Sequence, residues 1–171
     1  MRAGVVALAL LPLWACSPAI DWRQLRPEGW GLSASLPCRP ATQTRRLPLA
    51  GAAVDLTLLA CTVDGHTFAL ASADLADPAR VGPALQALAQ AARANVQGLV
   101  ESDRPARVKG MTPQAAARHW RLQGRSPDGR PVAEHLLVFA HGARVFQATL
   151  LGPVADESLA QTFFDGIEVA P

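Results

Sequence analysis

The Asp64-Gly65 dipeptide, set between two runs of strand-like residues, constrains the fold of this chain more than any other feature. From Ala53 to Val63, the residues Val54, Leu56, Leu58 and Ala60 fall on one parity, while Asp55 and Thr57 mark the other. That is the period of a half-buried strand. A two-residue Asp-Gly connection favours a type I′ turn, because both central residues must take positive φ. The segment from His66 to Ala73 is therefore expected to return antiparallel to the first. Two more turns extend the pattern. Ser126-Pro127-Asp128-Gly129 separates Trp120–Gly124 from Val132–Ala140, and His141-Gly142 precedes Arg144–Leu151, which predicts a three-stranded meander. An earlier strand is expected from Gly31 to Leu36, where Leu32, Ala34 and Leu36 alternate with Gly31, Ser33 and Ser35. Pro37 and Pro40 end it.

Between the two groups of strands, Asp77-Pro78 places a capping acid before a proline suited to a first helical turn. Val81, Leu85, Leu88, Ala92, Val96 and Leu99 then recur at steps of three and four, which predicts a helix over 79–98 with one apolar stripe. Gly98 is placed to help end it. A shorter helix is expected over 156–165. Asp156 and Glu157 complement its N-terminal dipole, Leu159, Phe163 and Ile167 form its buried side, and Gly166 is its stop. Strands, helix, strands, helix, without repeated β-α-β alternation, is the order of an α+β domain. The expected architecture is a largely antiparallel sheet with a long helix and a short C-terminal helix packed on it. Trp120, Leu122, Leu136, Val138, Val145 and Leu150 are candidates for burial, not all on one face.

The beginning of the chain speaks to location. A single charge, Arg2, precedes an apolar run from Val5 to Trp14 that is too short to span a bilayer but suits a signal-peptide core. It closes with Leu13-Trp14-Ala15-Cys16, which resembles the lipobox of bacterial lipoproteins. The resemblance implies that Cys16 carries a diacylglycerol, that the leader is cut before it, and that the new amine is acylated, including by palmitate. Several acyl chains hold a protein on a membrane far better than one does. Residues 1–15 are then a signal peptide, 16–30 a lipidated N-terminus and tether, and 31–171 a single domain. The expected location is the bacterial cell envelope, lipid-anchored and facing the periplasm. Ser17, standing where family sorting rules place Asp for inner-membrane retention, leans toward the outer membrane. Trp22 and Trp30 bracket the end of the tether and either pin the domain's start to the core or lie at the lipid interface.

With Cys16 assigned to lipid, Cys38 and Cys61 remain. An exported protein meets an oxidising compartment, so a Cys38–Cys61 disulfide is expected, contributing roughly 3 kcal/mol by chain entropy. The alternative is a redox or metal pair, but the spacing is not C-x-x-C and no histidine pair completes a zinc set.

The strand ending in Leu36-Pro37-Cys38-Arg39-Pro40, the long helix, the meander and the closing Phe163-Phe164-Asp165-Gly166-Ile167 together resemble the PsbP-like fold. That family includes the extrinsic photosystem II protein and small bacterial envelope lipoproteins. The resemblance implies an antiparallel sheet sandwiched by helices, in element order over about 31–169. No binding or catalytic residue carries over with it.

The chemistry-bearing residues give few leads. With 16 basic and 14 acidic residues, the chain has no charge excess that calls for nucleic acid. No G-x-S-x-G elbow, P-loop, H-E-x-x-H or dinucleotide fingerprint occurs, so no catalytic residue, metal site or cofactor is expected. His66, His119, His135 and His141 are dispersed, with His135 and His141 expected on opposite faces of their strand. Asp74 and Asp77 stand near the first helix, as a cation pair or, more economically, as caps. Arg39, Arg45 and Arg46 form the densest basic cluster, in the segment linking the first strand to the next. They are candidates for contact with an envelope protein or anionic lipid, against the reading of a charged edge that discourages aggregation. Two functions remain: a non-catalytic binding or assembly accessory anchored through Cys16, and an envelope hydrolase whose site is assembled only in three dimensions.

Overall fold

Alternating sequence becomes a seven-stranded antiparallel sheet in the computed structural model, which describes residues 20–169. The leader and Cys16 lie outside the described residues. Strands β1 (Arg23–Leu25) and β2 (Leu32–Leu36) come first, then β3 (Ala41–Leu49), β4 (Ala52–Val63) and β5 (His66–Asp74). A 3-10 turn at Pro78–Arg80 runs into α1 (Val81–Asn95), giving one helix of 18 residues. Four more strands and a helix follow: β6 (Leu99–Pro105), β7 (Arg118–Arg125), β8 (Pro131–His141), β9 (Arg144–Gly152) and α2 (Glu157–Asp165). The short β10 (Glu168–Val169) closes the chain. The large sheet runs β3-β4-β5-β9-β8-β7-β6, with β8 and β9 near its centre, and a small second sheet runs β1-β2-β10.

The hairpins form where the turn chemistry requires them. Asp64 and Gly65 both take positive φ, +49° and +75°, and β4 pairs with β5 from Val63↔His66 onward. The meander forms in the expected register, β7 on β8 and β8 on β9. Asp77 caps the first helical turn by accepting from the Ala79 amide at 2.9 Å, and Asp156 caps α2 by accepting from the Leu159 amide at 2.9 Å.

Four details differ from expectation. Arg23–Leu25, inside the stretch expected to be tether, pairs with β2, because Trp22 and Trp30 have somewhere to bury: Trp22 meets Phe68 edge-on and Trp30 packs against Phe146. The linking segment that carries Arg45 and Arg46 is itself an edge strand, β3. Leu99 does not belong to the helical stripe; it opens β6 and is 71% exposed. The left-handed residue that ends α1 is Gln97, at φ +48°, rather than Gly98. Gly98 is there for space, since a Cβ would stand 3.3 Å from the Leu122 Cβ, and its amide donates to the Arg93 carbonyl at 2.8 Å.

Register decides which layer each strand residue enters. Leu122, Leu136, Val138, Ala140 and Val145 share one face of the sheet, and α1 lies across it on β8 and β9 with Val81, Leu85, Leu88 and Ala92 inward. The opposite face carries Phe68, Leu150, His135, Leu137, Phe139 and Phe146, covered by α2 and the small sheet. Phe163 of α2 meets Phe68 edge-on at 5.4 Å, a favoured aromatic geometry. Of the six residues expected to be buried, five are; Trp120 is half-buried. Strand β8 is covered on both faces, which explains its unbroken burial from Ala133 to Ala140.

Candidate functional site

A cleft of about 620 Å³ lies between α2 and the β6–β7 margin of the sheet. Its floor is His119 on β7 and Leu137 on β8. One wall is α2, through Glu157, Ala160, Gln161, Phe164 and Asp165; the other is Arg104, Pro105 and Arg107. Cross-strand register builds the floor, because Arg104 stands directly opposite His119 in the β6–β7 pair. A bulge between Val100 and Ser102 shifts β6 by a residue just before this point. Without that shift the Arg104 side chain would face the other side of the sheet.

His119, at the floor of the cleft, has a second histidine behind it. His119 packs edge-on against Phe164, with ring centroids 5.1 Å apart, and lies 6.2 Å from the ring of His135, which is 1% exposed. Burial, then the positive charge of Arg104 and the neighbouring His135, push the His119 pKa down to about 4. Burial lowers that of His135 as well. Both rings are therefore neutral at pH 7. Nε2 of His119 and both ring nitrogens of His135 are buried without a hydrogen-bond partner among the described residues, a costly arrangement. Arg121 on β7 ties the region together, its guanidinium meeting Glu157 of α2 at 2.8 Å and Glu101 of β6 at 3.0 Å. Glu157 is thus paired within the protein. Arg104 and Arg107 make no ion pair or side-chain hydrogen bond among the described residues, unlike Arg118, which binds Asp103 at 2.6 Å.

The residues singled out from sequence are scattered. Cys16 lies outside the described residues. Cys38 and Cys61 are within bonding distance, S–S 2.09 Å, and join the turn after β2 to β4. Arg39, Arg45 and Arg46 are all exposed, but the three do not converge. Arg45 pairs across from Leu56 and Arg46 from Asp55, on opposite faces of β3, and Arg46 reaches Asp55 at 3.4 Å. His66 and His141 hydrogen-bond to the carbonyls of Asp64 and Gly110. His135 and His141, six residues apart on β8, share a face rather than lying on opposite ones. Asp74 accepts from the Ala76 amide and pairs with Arg144, and Asp77 is the cap described above, so neither is left to hold a cation. Among the described residues no three metal-binding side chains gather. Arg104, Arg107 and the His119–His135 pair are the grouping that sequence reasoning missed. The only signal that could have found it was the β6–β7 register, which requires β6 to be recognised as a strand.

One further ionisable group is unusual. Glu134 on β8 lies on the α1 side, 4% exposed, with no ion-pair partner among the described residues. Burial raises its pKa to about 7, against the opposing effect of a hydrogen bond from Thr149.

Compared with known proteins, the chain matches no protein-family model and no curated protein.

Proposed function

We propose that this protein is a lipid-anchored accessory of the bacterial envelope that binds a ligand in the cleft between α2 and the β6–β7 margin. The observation that carries the binding role is the cleft itself. Its size falls within the usual range for small-molecule sites, about 300–1,000 Å³, and its lining combines the apolar Leu137, Phe164, Ala160 and Pro105 with a few polar groups. Location comes from the lipobox ending at Cys16, which anchors the chain to the membrane. The Cys38–Cys61 pair fits an oxidising compartment. Among the described residues no helix is long and apolar enough to cross a membrane. The layering of α1, sheet, and α2 with the small sheet supports the PsbP-like resemblance as an architecture. A shared architecture does not transfer function.

Filling the cleft tests the role. Gln161 is exposed on α2 and lines the cavity, so Gln161→Trp occupies the space without disturbing the core. A small-molecule fraction of envelope extract is expected to raise the melting temperature of the parent protein and not that of the variant, since a ligand stabilises the state it binds. Equal shifts in both proteins, or none in the parent, contradict this site. An activity in a hydrolase screen that is lost on His119→Gln, with folding preserved, favours the hydrolase instead.

A further inference from the structure

We infer that the α2 cleft takes an organic anion with an apolar body, held at its charged end by Arg104 and Arg107 and along its length by Leu137, Phe164 and Pro105. The inference rests on the cleft being a binding site, as proposed above, and adds the chemical class of its occupant. Charge complementarity carries it. Two guanidinium groups on one wall have no carboxylate within ion-pair distance among the described residues, whereas Glu157 on the facing wall is paired with Arg121, which it shares with Glu101. Guanidinium groups bind carboxylates and phosphates through paired N–H donors, and such charge-assisted bonds are about twice as strong as neutral ones. The apolar portion of the cleft lies beside these donors, so an ion without a hydrocarbon body uses only part of the site. His119 lies at the floor between the two, its ring packed edge-on against Phe164. Asp165, the other acid of the lining, sits at the last residue of α2 and makes no ion pair among the described residues. It repels the anion and sets a direction for a test.

Calorimetric titration of the purified protein with 4-phenylbutyrate, its uncharged amide, and acetate separates the contributions of charge and body. The acid is expected to bind saturably, and the amide and acetate each at least tenfold more weakly. Arg104→Gln with Arg107→Gln should weaken the acid at least tenfold and leave the amide unchanged, because both side chains are exposed and their loss spares the fold. Asp165→Asn should tighten the acid by roughly two- to fivefold, as removing an exposed like charge is worth about 0.5–1 kcal/mol. Acetate binding as tightly as the acid overturns the apolar half of the inference. Equal binding of acid and amide, or an unchanged acid affinity in the double variant, overturns the charged half. If none of the probes binds while the extract still stabilises the parent and not Gln161→Trp, the ligand class is wrong and the binding role stands. If the extract fails as well, both fall.

Discussion

Glu134 and His119 set opposite demands on the pH at which this fold is most stable. The Glu134 carboxyl ionises near 4.5 when exposed and holds its proton to about 7 in the folded protein. As pH rises through that window the unfolded chain loses the proton first, so the fold loses stability and stays lower above it. Glu134→Gln keeps the shape and stays neutral. Its stability relative to the parent, by urea denaturation, is expected to improve by on the order of 3 kcal/mol between pH 4 and pH 8. A pH-independent difference contradicts the buried neutral acid. His119 runs the other way: unfolded it takes a proton near 6.5, folded only near 4, so its contribution is complete above 6.5 and is lost as pH falls toward 4. Titration of its ring protons by NMR should show it still neutral at pH 5.5, and a midpoint near 6.5 contradicts the environment described. At this scale the sequence was legible where chemistry is local. Asp64-Gly65, Asp77 and Asp156 announce turns and caps through bonds to neighbours within three residues. Glu134 and His135 are polar residues in a strand buried on both faces, and no local pattern distinguishes them from solvent-facing ones.

Strands were legible in proportion to how unequal their two faces are. Strand β2 alternates buried and half-buried residues and stands out; β3 is exposed along most of its length and β6 is polar on both sides, so neither shows a period of two. Both are edges of the large sheet, where one row of backbone groups faces solvent. On β3 that edge carries Arg45, Arg46 and Pro48, which discourage pairing with another chain. Replacing Arg39, Arg45 and Arg46 together with Ser is accordingly expected to shift stability by less than about 0.5 kcal/mol each, while increasing aggregation at high concentration, as read by light scattering. A monomer of unchanged solubility contradicts the edge-protection account. The Cys38–Cys61 bridge holds the start of β3 to β4 at this margin. Replacing both cysteines with Ala is expected to cost roughly 3 kcal/mol, measured by thermal or urea denaturation. Two free thiols by alkylation and intact mass, in protein taken from the envelope, contradict the bridge.

At the scale of the whole molecule, the proposed anchor is four contiguous residues, whereas the proposed binding cleft is encoded by no contiguous stretch of sequence. Cys16→Ser is expected to abolish incorporation of radiolabelled palmitate; equal labelling of variant and parent contradicts the lipid anchor. The cleft draws on β6, the loop after it, β7, β8 and α2, spanning residues 104 to 165. Its arginines and histidine become neighbours only through strand register and the bulge that precedes Arg104. The antiparallel sheet, both helices and the disulfide could be anticipated, but the site could not, because the strand bearing Arg104 lacks the alternation by which strands are recognised. The claim that this cleft is where the protein binds is tested most directly by mapping amide shifts in the isotopically labelled protein on addition of the envelope small-molecule fraction. The account predicts that the perturbed amides cluster around Arg104, Arg107, His119, Gln161 and Phe164 and vanish in Gln161→Trp. Perturbations confined to the separate cavity beside Trp30 and Pro40, or to the Arg45–Arg46 edge, would contradict it.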